Sequence, residues 1–218
     1  MRPGRGLRIA GLTLAPLGVL LIAAGFLLRV AYPGHTVQGT SMEPAYGPGD
    51  TLLAERVEPS ELRRGDVVLV TAPEWGVSRD LLVRRVIGVG GDRVRSDGGR
   101  LYVNGRPLAE PYVAGTGGGP LGAEPDVEVT VPEGRLFLLG DNRANSNDAR
   151  NHRDDPHQGT LPVTAARERV ASGPLGAVGA GAGVFGGAVV LLTGLGLGLG
   201  GLLAGRAGRR AGPAWQVP

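Results

Sequence analysis

Two long apolar stretches frame this chain, and the region between them alternates in short steps rather than in helical turns. From Ile9 to Leu28 there are 20 uncharged, mostly apolar residues, enough to cross roughly 30 Å of hydrocarbon as a helix. Arg2, Arg5 and Arg8 precede it, as basic residues also precede a removable signal peptide. The run is longer than such a segment usually carries, and no small-x-small cleavage site follows before Arg29, so it reads as an uncleaved anchor. A second charge-free stretch runs from Val170 to Gly205, with its most hydrophobic part at about 184–204. Gly179, Gly183 and Gly187, then Gly194 and Gly198, repeat at the spacing that lets helices approach closely. The pattern predicts a second span, packed against the first through these glycine faces.

The middle reads as strands. Candidates are Thr51–Arg56, Asp66–Thr71, Leu81–Val89, Arg100–Val103, Val127–Val131 and Arg135–Leu139, all short, rich in Val and Leu, and punctuated by Gly and Pro. Asn104-Gly105 after Leu101-Tyr102-Val103 predicts a two-residue hairpin, because a type I′ turn needs positive φ at both positions. Gly115–Gly119 reads as an exposed loop or an insertion, and there is no internal repeat. The fold class is therefore mainly β with an apolar helix at each end.

Charge sharpens the topology. The pI of about 9.9 suggests a nucleic-acid surface until the charges are located. All 20 acidic residues fall between Glu43 and Glu168, whereas seven of the 23 arginines lie in the flanks, at Arg2, Arg5, Arg8, Arg29, Arg206, Arg209 and Arg210. The middle carries 16 Arg against 20 acids, so the excess of base belongs to the ends and no nucleic-acid partner is expected. Under the positive-inside rule both tails, 1–8 and 205–218, stay in the cytoplasm, the spans are 9–28 and 184–204, and residues 30–172 form an extracytoplasmic domain. With no cysteine and three histidines outside any metal-ligand spacing, no metal and no cofactor is expected.

The chemistry lies in four segments of that domain. Val37-Gln38-Gly39-Thr40-Ser41-Met42-Glu43-Pro44 begins a few residues beyond the first anchor, where a serine can act on a membrane-held substrate. Arg64-Gly65-Asp66-Val67-Val68 opens a strand, and Arg84-Arg85-Val86-Ile87-Gly88 runs to the tight turn at Gly90-Gly91-Asp92. The fourth segment is Gly140-Asp141-Asn142-Arg143-Ala144-Asn145-Ser146-Asn147-Asp148-Ala149-Arg150. In this order and spacing the chain resembles the type I signal peptidases, the membrane-bound serine proteases of peptidase family S26, as a divergent, actinobacterial-like member. The resemblance covers about Thr36 to Gly173 together with the first anchor.

What the resemblance implies is a signal-peptidase-type β catalytic domain in the plasma membrane, multi-pass, facing outward. It implies a serine endopeptidase that removes signal peptides from exported preproteins held in the lipid bilayer. Ser41 matches the nucleophile, Ser146 the serine that orients the base, and Asp148 and Arg150 a structural carboxylate–guanidinium pair. Asp141 is a further supporting residue. Met42 and Pro44 match positions beside the nucleophile that meet substrate or membrane, with plain apolar packing as the alternative for Met42. The base, a lysine in the family, falls at Arg84, and the chain has no lysine. A desolvated lysine can lose its proton near neutral pH, but a guanidinium cannot. Three outcomes follow: a histidine substitutes, Arg84 supports specialised cleavage with another base, or the chain is a non-cutting, membrane-tethered binding or accessory homologue. His35, His152 and His157 read as solvated loop histidines, and Asn151–Gln158 as a solvated acidic loop.

Overall fold

The computed structural model describes residues 5–113, 126–171, 189–197 and 199–200, and they fall into two units. The first unit contains α1 (Arg5–Ala31), whose segment Leu12–Ala31 is long and apolar enough to span a membrane, with mean hydropathy 2.2. Residues 189–197 and 199–200 of the same unit are helical, and the rest of the expected second span lies outside the described residues. Here the glycines act as contact points. A Cβ on Gly18 would stand 2.3 Å from the Leu191 backbone nitrogen, and one on Gly194 would stand 2.5 Å from that of Ala15. Only residues without a side chain allow backbones that close.

The second unit, Pro33–Gly176, is built of antiparallel strands. They are β1 (Gly34–Thr36), β2 (Thr51–Arg56), β3 (Val67–Ala72), β4 (Val77–Val89), β5 (Arg93–Asp97), β6 (Arg100–Val103), β7 (Arg106–Pro107), β8 (Glu128–Thr130), β9 (Arg135–Leu139), β10 (Leu161–Pro162) and β11 (Ala166–Val170). One sheet has seven strands in the order β1-β2-β11-β3-β4-β9-β10, and the other has four in the order β7-β6-β5-β8. β2 and β5 alternate buried and outward positions, as a half-buried strand should. β3 is apolar on both faces, and each face serves a different core. Val68, Val70 and Ala72 join the larger cluster with Val86, Leu136 and Leu138, while Val67 and Leu69 join a smaller one with Val37, Met42, Leu52, Ala54 and Val170.

Six expected strands are present, with small shifts at β3 and β8 and an earlier start for β4 at Val77. The hairpin at Asn104-Gly105 joins β6 to β7, with φ of 53° and 77°. β1, β5, β7, β10 and β11 went unpredicted because their residues are short runs or mostly charged. Arg-Val-Arg-Ser-Asp in β5 buries only Val94 and Ser96 and is held by neighbours on both sides. The Gly115–Gly119 loop lies outside the described residues.

Candidate active site

Ser41 lies in the turn-rich segment between β1 and β2, and that segment is fastened at two places. Val37 and Met42 anchor it in the smaller core cluster. The loop after β9 grips its backbone: the Asn142 N–H donates to the Ser41 carbonyl at 3.0 Å, Asn142 Nδ2 to the Thr40 carbonyl at 3.1 Å, and Asn145 Nδ2 to Thr40 Oγ1 at 2.7 Å. Gly140 makes this approach possible, because a Cβ there would sit 2.6 Å from the Ser41 carbonyl oxygen and 2.1 Å from Ser146 Oγ. Neither asparagine was singled out from sequence, although both fall inside the fourth motif.

Arg84 extends from β4 to the nucleophile. Its Nη1 donates to Ser41 Oγ at 2.9 Å and to the Val83 carbonyl at 2.6 Å, while Nε and Nη2 both donate to the Asn147 carbonyl, at 3.2 and 2.7 Å. The residue is 3% exposed, and among the described residues every hydrogen-bond partner is a neutral oxygen. Burial therefore pushes the guanidinium below its ordinary value, with the charge of Asp148 opposing that shift. It stays protonated around neutral pH, since an arginine starts so far above that range.

The remaining expected site residues divide into those brought to this centre and those that brace it. Ser146 Oγ is enclosed and makes no hydrogen bond, so the Asn147 carbonyl takes the guanidinium in its place. Asp148 and Arg150 form a buried two-point pair at 2.9 and 3.0 Å, and Asp148 Oδ2 also accepts the Gly140 N–H at 3.0 Å. Asp141, wholly buried, receives Arg85 Nε at 2.8 Å and Nη2 at 2.5 Å. Met42 borders the cleft and is 1% exposed, packed in the smaller core. Pro44 is exposed and lies outside the cleft lining, because the chain turns away directly after Met42.

Two histidines correct the expectation of solvated loops. His35 Nε2 lies 2.5 Å from Glu168 Oε2 and lines the same cleft as Ser41. The His152 ring stacks on Trp75 with centroids 5.2 Å apart and planes 2° from parallel. His157 is exposed. Among the described residues no imidazole or carboxylate hydrogen-bonds Ser41 Oγ.

A cleft of about 440 Å³ opens beside Ser41, with Val37, Gly39, Leu82 and Val83 in its walls. β4 pairs with β9 only from Arg85 onward, and β1 is the terminal strand of its sheet, so the walls carry unpaired backbone edges. Such a slot can take an extended peptide as an added strand.

A buried guanidinium hydrogen-bonded to a serine beside a cleft is an arrangement found in the serine-hydrolase class. The sequence model of the family described as "Signal peptidase, peptidase S26" matches residues 10–170, and this chain belongs to that family. It is 33% identical to the signal peptidase I of Bacillus licheniformis, over 61% of this chain and 74% of that one. Identity is also 33% to signal peptidase I of Mycobacterium tuberculosis, covering 68% of this chain and 67% of the relative. A crystal structure of a signal peptidase I from Enterococcus faecalis aligns with 51% of this chain and 97% of its own, at 26% identity and TM-score 0.41.

Proposed function

We propose that this chain is a membrane-bound serine endopeptidase that removes signal peptides from exported preproteins, with Ser41 as nucleophile and Arg84 as its electrostatic activator. The observation that carries the reading is the 2.9 Å bond from Arg84 Nη1 to Ser41 Oγ in the lining of the 440 Å³ cleft, within a chain of the signal peptidase family. Ser41 Oγ attacks the carbonyl of the scissile bond, the C–N bond breaks as the amine of the mature protein takes a proton from solvent and departs, and water then hydrolyses the acyl-enzyme to release the signal peptide. The Ser41 N–H, which no acceptor takes among the described residues, receives the developing oxyanion in this reading.

Arg84 does not accept the serine proton. A unit positive charge this close favours the alkoxide by on the order of 4 kcal/mol at an effective dielectric near 20, or about three powers of ten in its population. The proton leaves to solvent hydroxide, so acylation speeds up with pH. Ser146, Asp148, Arg150 and Asp141 act as the frame that holds the two reacting side chains.

The topology belongs to the same proposal. α1 is one span and 184–204 the second, both tails are cytoplasmic, and residues 30–172 face outward. The tight Gly18 and Gly194 contacts and the arginine-rich flanks support it. The deciding assay incubates the full chain in detergent with a preprotein. Wild type should release the mature protein and Ser41→Ala should not; intact preprotein with wild type at every pH would contradict the reading.

A further inference from the structure

The 3-10 turn Ala149–His152 holds one peptide group from both sides. That group joins Asn147 to Asp148, and its carbonyl is the oxygen that receives Arg84 Nε and Nη2. Its N–H, on Asp148, donates to Asn151 Oδ1 at 3.0 Å. The Asn147 side chain is held in turn, with Oδ1 2.9 Å from His152 Nε2. The His152 ring then rests on Trp75, a residue of the larger core whose Nε1 donates to the Gly159 carbonyl at 3.2 Å. Asp155 Oδ2 lies 3.4 Å from His152 Nδ1, so both ring nitrogens face acceptors and the ring orientation is set.

We propose that His152 is a positioning residue for catalysis: through Asn147 it fixes the carbonyl that aims the Arg84 guanidinium at Ser41 Oγ. The inference rests on the reading of Arg84 as the activator of Ser41. Its physical basis is that no carboxylate hydrogen-bonds Arg84 among the described residues, so its direction depends on two backbone oxygens, that of Val83 beside it on the strand and that of Asn147, which alone takes both Nε and Nη2. Asp148 fixes the far side of that peptide group through Gly140 and Arg150. On the near side Asn147 is itself exposed, and its side-chain bond is to His152. A histidine here supplies a flat ring for the Trp75 stack and an N–H for Asn147 at once.

The test separates those two roles in the full chain in detergent. His152→Phe keeps the ring on Trp75 and removes the donor, while His152→Gln keeps a donor and removes the ring. His152→Phe should lower kcat roughly five- to tenfold at unchanged KM, the size expected from one lost hydrogen bond. His152→Gln should recover most of that loss. Asn147→Ala should match His152→Phe, and the double variant should lose no more than either alone. Hydrogen exchange at the Arg84 Nε–H, its resonance identified by its loss in Arg84→Lys, should quicken several-fold in His152→Phe. Wild-type turnover in His152→Phe, or losses that multiply in the double variant, would overturn the inference. If wild type fails to cleave, the functional reading fails, and the exchange rate at Arg84 still decides the positioning role.

Discussion

Arg84 and Arg85 are neighbours on β4, and successive side chains of a strand leave it on opposite faces. The two faces have opposite designs. Arg85 meets the buried carboxylate of Asp141 at two points and lies 3.9 Å above the Tyr112 ring. Burial works against its charge, but the Asp141 bonds and charge outweigh that and hold the guanidinium above its ordinary value. Arg84 meets only neutral oxygens and is pushed below its ordinary value. A fully matched cation is spent on structure; an unmatched one keeps its field for a charge that appears during reaction. In the proposed mechanism the activating arginine is thus set apart by what faces it rather than by the residue type.

Substitutions can break this contrast in order of expected size. Ser41→Ala should cut preprotein cleavage by roughly 10⁴-fold or more while leaving the melting transition in place. Arg85→Ala strands a wholly buried Asp141 carboxylate and should cost about 3–5 kcal/mol in denaturant unfolding. Arg84→Gln should show the reverse pattern, a loss of about 10²–10³ in kcat with stability within about 1 kcal/mol of wild type. If Arg84→Gln unfolds the domain, or Arg85→Ala leaves it as stable as wild type, the contrast between the faces is wrong. Gly105→Ala, in the four-stranded sheet, should cost about 1 kcal/mol for its left-handed backbone and leave kcat untouched.

Much of this was legible in the sequence wherever a strand carries its own apolar pattern, alternating in Thr51–Arg56 and continuous in Arg135–Leu139. The residues around Ser41 were legible through the spacing of four motifs. What stayed hidden has a common physical cause: it depends on partners distant along the chain. β11 buries only its ends and exists because β2 and β3 flank it. Asn147 contributes a backbone oxygen, which no side-chain pattern reports. His152 reads as solvated until Trp75, distant in sequence, is folded onto it. Ser146 reads as the partner of the base, yet the forked guanidinium bonds a carbonyl instead.

The central claim is that a charge, and not a proton acceptor, activates Ser41. Burial lowers the Arg84 value, but a guanidinium keeps its proton in proteins, so its positive charge is present throughout the working range. The direct measurement is kcat/KM against pH for wild type and Arg84→Lys. Wild type should rise about tenfold per pH unit without a plateau, whereas Arg84→Lys should bend to a plateau as the buried lysine loses its proton and becomes a general base. A wild-type profile that already levels off near neutral pH would contradict the account, because it would report a titrating base at Ser41.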